Sequence, residues 1–319
     1  MSSNAICTRS LVVWTCTPRY RFAFVDLNTI PFRNGSILSR PVLILFYLRN
    51  LSTLTCRIGI AHTARQQSCP LYSSTALGYD SDHYCLFRNL TQFSQIGIWP
   101  YLPFFSDLIA QDPHIGILVI EVLPISMHMT SPPLDRDAYC RAVTRILASL
   151  QISRITLVSH SYGTVLTTHM LHDPFLSSLI SSILFIDPIP FLLHFPNVAF
   201  NFVYREPRLA NEWLMWYFAS RDADISRALS RHFFWAENVL WKEELEGRKV
   251  AVVLSGADQI VNAEEVGKYL TGEQELSRRW EMGGLEVLFY PGLDHGMVFD
   301  TKERRKPMLD IIGRFVRLE

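Results

Sequence analysis

A serine hydroxyl is a weak nucleophile at neutral pH unless a base takes its proton and an acid orients that base. Three stretches of the chain could supply such a set. Residues 155–164 read ITLVSHSYGT, an apolar run of strand length passing through Ser159-His160-Ser161-Tyr162-Gly163 into a helical pattern. Small residues two before and two after Ser161 permit a strand-to-helix turn sharp enough to project its side chain above a sheet. Gly163 holds the second small position, and Ser159 holds the first, where glycine is more usual. The helix N-terminus adds partial positive charge, and the Tyr162 amide is placed to donate to an oxyanion. Val250–Ser255 then runs into GADQIV, carrying Asp258, and Leu285–Tyr290 runs into PGLDHG, carrying His295. In this reading His295 takes the Ser161 proton and returns it to the leaving group, while Asp258 holds the imidazole tautomer and stabilises its cation.

Each of these residues also has a plainer reading. Asp258 could cap the helix that follows. Asp187, at the end of an earlier apolar run, is a rival acid, although the Pro188 after it favours a simple turn. Asp294 reads as a turn residue. His160, His169 and His172 read as packing or helix-face residues, because no carboxylate falls at metal-ligand spacing. No metal or cofactor is expected.

These residues need strand ends on one sheet edge to bring them together. From about residue 113 the pattern alternates apolar runs of strand length with longer amphipathic stretches, as a parallel sheet wrapped by helices requires. The expected strands are Ile115–Val122, Ile155–Val158, Ser182–Ile186, Val250–Ser255 and Leu285–Tyr290. The expected helices are Asp135–Leu150, Thr164–Leu171, Ala263–Leu270 and Lys306–Val316. Between Pro190 and Arg248 the strand rhythm stops; 13 of the 39 aromatic residues lie between Phe191 and Trp241, and the stretch reads as a helical cap inserted between two core strands.

SHSYG, GADQIV and LDHGM together resemble the α/β-hydrolase superfamily, and IGIWPYLPF with SHSYGT looks like a fungal-type branch of it. The resemblance covers Ile96–Glu319, and the order Ser, Asp, His is the one this architecture uses. It implies a mostly parallel α/β sheet flanked by helices, a cap after the Asp187 strand, and hydrolysis of an ester or related acyl bond through an acyl-serine, without a cofactor. In such proteins a strand leads directly into a His-Gly loop whose backbone gives the second oxyanion donor. Arg40–Phe46 resembles that strand, but Tyr47-Leu48-Arg49 follows it and no His-Gly occurs before Ile96. Losing one such donor costs about 3 kcal/mol of barrier. Gly97 is the nearest flexible candidate for the missing amide.

The chain has 319 residues, 49% of them hydrophobic, enough for one large domain with an inserted cap. The expected division is an ill-defined segment 1–40, a core of 41–190 and 249–319, and a cap 191–248. Residues 47–95 read as an anomalous insertion or translated intron, since they lack either period and are rich in Ser, Thr, Arg and Cys. Lys plus Arg equals Asp plus Glu at 30 each, which argues against a nucleic-acid partner, although residues 1–100 alone carry a formal +6. Five of the six cysteines fall in that first part at irregular spacing, and reduced thiols are expected. No apolar run reaches the roughly 20 residues a spanning helix needs. The expected address is intracellular and cytoplasmic; Arg9, Arg19 and Arg21 in an acid-free start keep a mitochondrial one open. The aromatic cap suggests an apolar acyl ester as substrate and peripheral contact with membrane or lipid. Two other functions stay open: acyl transfer, from the His295-x4-Asp300 spacing, and a non-catalytic fold that has lost its oxyanion loop.

Overall fold

The protein is described as a computed structural model covering residues 11–17, 20–26, 42–48, 84–88, 99–112, 115–126 and 132–317. Its strands are β1 (Leu11–Thr17), β2 (Tyr20–Asp26), β3 (Val42–Leu48), β4 (Tyr84–Arg88), β5 (Gly116–Val122), β6 (Ile155–His160), β7 (Ile180–Ile186), β8 (Lys249–Ser255), β9 (Arg279–Met282) and β10 (Leu285–Tyr290). They form one sheet in the order β1-β2-β3-β5-β4-β6-β7-β8-β10-β9. The run from β5 through β4, β6, β7 and β8 to β10 is parallel throughout. Antiparallel pairings flank it on both sides. This is the mostly parallel α/β sheet that the alternating pattern predicts.

The helices are α1 (Leu102–Gln111), α2 (Arg136–Ser149), α3 (Tyr162–Leu171), α4 (Pro174–Leu179), α5 (Asn197–Ala199), α6 (Ala210–Met215), α7 (Ala223–Arg231), α8 (Trp235–Asn238), α9 (Ala263–Thr271) and α10 (Lys302–Arg317). Alternate residues of the central strands serve two separate cores, because successive side chains point to opposite faces. Val250, Val252 and Leu254 pack with Val143 of α2, Val165 of α3 and Val266 of α9. Ala251 and Val253 pack with Phe104 and Leu108 of α1 and Ile311 and Ile312 of α10. Burial on both faces explains why these strands read as continuous apolar runs. On the second face, Arg305 of α10 reaches Asp107 of α1, its Nε donating at 2.9 Å, while its Nη1 donates to the Phe299 carbonyl at 2.6 Å.

Local chemistry sets the element ends. Asp135 caps α2, its Oδ1 accepting from the Ala138 amide at 2.7 Å. Helix α10 begins four residues before the expected Lys306, so Pro307 lies inside it rather than in its first turn. A proline reads most naturally as a helix start, which is why the sequence pattern placed the boundary late.

One expectation for the first part of the chain is corrected. Val42–Leu48 is not the strand that leads to the edge bearing Ser161. It pairs antiparallel with both β2 and β5, so its C-terminal end lies at the opposite edge from that of β6. The strand between β5 and β6, parallel to both, is Tyr84–Arg88. It falls within 47–95, and with only five residues it is too short for a period to show. Residues 49–83 and 89–95, most of 1–40 and Gly97 lie outside the described residues.

Between β7 and β8 the chain is helical, with α5, α6, α7 and α8 joined by π-helical turns at Phe200–Tyr204 and Trp216–Ser220. Its two ends meet: the Leu240 amide donates to the Pro190 carbonyl at 3.1 Å. Further contacts seat it on α3 and the core. His169 Nε2 lies 2.7 Å from Asn238 Oδ1, and His172 Nε2 lies 2.7 Å from Glu244 Oε2. These two histidines therefore serve packing and attachment.

Candidate active site

Strand β6 ends at His160, and helix α3 begins at Tyr162, so Ser161 alone makes the turn between them. Its φ of 53° and ψ of −126° lie where a side chain is strained, at a cost of about 1–3 kcal/mol. Three contacts hold it there. The Ser161 amide donates to the Ile186 carbonyl at 3.0 Å, and its own carbonyl accepts the Thr164 amide at 2.9 Å and the Thr164 hydroxyl at 2.5 Å. The Thr164 hydroxyl oxygen in turn accepts the Ile189 amide at 3.1 Å, which ties the elbow to the start of the helical segment. The Tyr162 amide is among the first of α3, the group that a helix leaves without an acceptor in its own turn.

The loops after β8 and β10 are fastened together. The Gly256 amide donates to the Tyr290 carbonyl and the Ala257 amide to the Leu293 carbonyl, each at 2.8 Å. Gly256 is required by this approach, because a Cβ there would meet the Pro291 Cα at 2.7 Å. Asp258 and His295 meet across this seam, with His295 Nδ1 2.6 Å from Asp258 Oδ2. The other oxygen of Asp258 accepts the Ile260 amide at 2.7 Å and the Val261 amide at 3.0 Å, which fixes the carboxylate. Asp258 does not cap the following helix, because Asn262 caps α9.

His295 lies beside the elbow. Its ring centre is 5.0 Å from that of His160, the residue before Ser161. Ser161 and His295 are both buried. Burial alone would lower the His295 pKa, but the Asp258 carboxylate, with Asp187 and Asp294 beyond it, outweighs this and raises it. Burial raises the Asp258 carboxyl, while His295 and the Ile260 amide favour its charged form. The Tyr162 phenol is pushed up to about 12 by burial and stays neutral.

Three residues read as turn or packing positions do more. Asp187 is buried and accepts two backbone amides, from Ser255 at 2.9 Å and from Gly296 at 2.7 Å. His160 Nε2 lies 3.6 Å from Asp187 Oδ2, and His160 Nδ1 lies 3.2 Å from the Tyr101 hydroxyl. A hydroxyl proton given to Nδ1 places the ring proton on Nε2, facing the carboxylate. Burial lowers the His160 pKa to about 4 despite Asp187, with His295 adding to the depression. Asp294 joins three elements: Oδ1 accepts the Gln259 amide at 3.1 Å, and Oδ2 accepts from Gln259 Nε2 at 2.9 Å and Asn211 Nδ2 at 2.7 Å. Strand ends separated by dozens of residues make these contacts, and no local spacing signals them.

Donor atoms of Asp187, Asp258 and His295 lie within 4.8 Å of one another, a spacing a cation could use. The same carboxylate oxygens accept the Ser255, Gly296, Ile260 and Val261 amides, and Asp258 Oδ2 meets His295 Nδ1. Asp300, the last residue of His295-x4-Asp300, turns outward and lies 3.6 Å from Arg304.

Under the helical segment an apolar cavity of about 440 Å³ opens beside the elbow, with Tyr162, Ile189, Phe202, Ile225, Phe233 and Ile260 among its walls. Tyr162 adjoins Ser161, and Ile260 lies in the Asp258 loop, so the cavity borders both elements of the site.

A parallel sheet with a serine on its strand-to-helix elbow and an Asp–His pair on two later strand ends defines the α/β-hydrolase class. The chain belongs to the alpha/beta hydrolase family, whose sequence model matches residues 96–306. No curated protein matches it. Among solved structures it is similar to the carboxylesterase CesB (YbfK) from Bacillus subtilis, at 12% identity and a TM-score of 0.51, over 94% of this chain and 92% of that one. It is also similar to carboxyl esterase 2 (TmelEST2) from the mycorrhizal fungus Tuber melanosporum, at 13% identity and a TM-score of 0.52, over 95% and 89% of the two chains. At these identities the likeness is one of fold. Among the described residues, no helix is long and apolar enough to cross a membrane.

Proposed function

We propose that this chain is a serine hydrolase, of a fungal-type branch of its family, that cleaves an ester or related acyl bond through an acyl-Ser161 intermediate. The observation that carries this reading is the 2.6 Å contact between His295 and a twice-anchored Asp258, next to a serine held in a strained turn. With Nδ1 engaged by Asp258, the opposite ring nitrogen of His295 takes the Ser161 proton as Oγ attacks the carbonyl carbon. The carbonyl oxygen gains the charge, and the Tyr162 amide at the start of α3 donates to it. As the C–O bond to the leaving alcohol breaks, His295 returns the proton to that alcohol. Water then attacks the acyl-serine, giving its proton to His295, and the acid leaves as Ser161 regains its hydrogen. Strand β4 is parallel to β6 and so ends at the same sheet edge, and the segment that follows it in sequence is the proposed source of the second oxyanion donor, with Gly97 as the candidate.

The apolar cavity supports an apolar acyl group, and the unit 191–248 acts as the cap that encloses it. Trp213, Tyr217 and Trp235 are exposed on that unit, which supports peripheral contact with lipid. Fluorophosphonate labelling tests the reading. The expected result is covalent labelling of the wild type that disappears in Ser161→Ala, together with turnover of p-nitrophenyl esters. A folded wild-type protein that takes no label would favour a non-catalytic role.

A further inference from the structure

Asp187 is placed too deliberately for a turn residue. Its backbone has a φ of 44°, in the left-handed region, and precedes Pro188, a combination that needs support from its surroundings. Its amide donates to the Val253 carbonyl at 2.9 Å, fixing it to the end of β8. Its side chain is fully buried, and its two oxygens accept amides from different loops, Ser255 at the end of β8 and Gly296 directly after His295. Gly296 has a φ of 74°, so the His295 loop turns sharply where the carboxylate grips it. The same oxygen that binds Gly296 lies 3.6 Å from His160, on the elbow. Besides Asp187, the titratable groups that face His295 are Asp258 from the β8 loop, Asp294 from its own loop and His160 from the elbow.

We infer that Asp187 is a positioning residue of this site: its carboxylate fixes the backbone at Gly296, and so the tilt of the His295 ring, while its charge favours the imidazolium formed during acyl transfer to Ser161. The inference rests on the reading of Ser161, Asp258 and His295 given above. A carboxylate that served the fold alone would brace the loops without affecting how readily His295 accepts a proton. Asp187→Asn separates the two roles. The amide removes the charge and turns an NH₂ toward one of the two backbone donors, whereas Asp187→Glu keeps the charge and displaces the oxygens.

The experiment measures the rate of fluorophosphonate labelling at Ser161 against pH for the wild type and both variants, each checked for a cooperative thermal melt. Asp187→Asn is expected to label about tenfold to a hundredfold more slowly. Its acidic midpoint is expected to fall by about one pH unit, because His295 loses a nearby negative charge. Asp187→Glu is expected to keep the wild-type midpoint with a reduced rate. Wild-type rate and midpoint in Asp187→Asn would overturn the inference, as would a lower rate with an unmoved midpoint. Failure of both variants to fold would assign Asp187 to the fold instead. Label that survives Ser161→Ala would overturn the nucleophile assignment itself, a result distinct from all of these.

Discussion

His295 and Asp258, 37 residues apart in the chain, lie with Nδ1 and Oδ2 2.6 Å from each other, and the second oxygen of Asp258 is held by two backbone amides. The imidazole is thereby fixed in one tautomer before any substrate arrives. The local chain folds for this purpose: Gly256 lets the two loops close to van der Waals range, and Asp294 joins them from outside.

Replacing Asp258 by Asn keeps the volume but removes the charge and favours the wrong tautomer. Turnover of a p-nitrophenyl ester is expected to fall by about 10⁴-fold, with the fold intact by circular dichroism. The loss in Asp187→Asn should be much smaller. The reverse order in steady-state assays would assign the acid role to Asp187.

The raised pKa of His295 has a defined consequence for activity. The base works only when neutral, so activity should be lost as pH falls through its folded pKa, above the ordinary value of 6.5. A kcat/KM profile with its acidic midpoint below 6.5 would contradict the stated balance of charges.

His160 predicts a separate effect on stability. Its folded pKa is depressed from 6.5 to about 4, so the unfolded chain takes up a proton in that interval while the native state does not. Its contribution is therefore present above pH 6.5 and lost as pH falls toward 4, amounting to about 3 kcal/mol over the whole interval. His295, with its raised pKa, acts oppositely: its contribution is full below 6.5 and lost as pH rises through the folded value. Urea unfolding at pH 7.5 and pH 5 should show His160→Gln losing less stability on acidification than the wild type. Equal losses would remove His160 from the linkage.

The cavity predicts acyl-chain selectivity. Val203 lines it, and Val203→Trp should fill part of it while leaving Ser161 untouched. Excluding even two methylenes, at about 0.8 kcal/mol each, would lower kcat/KM for an octanoyl ester about tenfold. The acetyl ester should change by less than about twofold. Parallel losses on both esters would place the acyl chain elsewhere.

Much of this arrangement is legible in the sequence because both faces of β7 and β8 are buried, so their apolar runs and the polar loops after them stand out. The ends of the β8 and β10 runs locate Asp258 and His295. Other features depend on contacts that local spacing cannot express. Asp187 reads as a turn because Pro188 follows it, yet its burial arises from two loops that lie 68 and 109 residues further on. Strand β4 is hidden by its brevity, and the apolar run of β3 is clear while its direction is not, since direction is fixed by its partners. Ser159 and His160 are polar, so β6 appears to stop early; burial carries it on to the elbow.

The hydrogen bond between the Leu240 amide and the Pro190 carbonyl has a broader meaning. Because the helical excursion leaves the sheet and rejoins it at neighbouring points, its length and lining can vary without pulling β7 and β8 apart. On the proposed reading, selectivity and bond cleavage sit on separable parts: remodelling the excursion would retune what is bound, while the Asp–His pair and the strained serine keep their register.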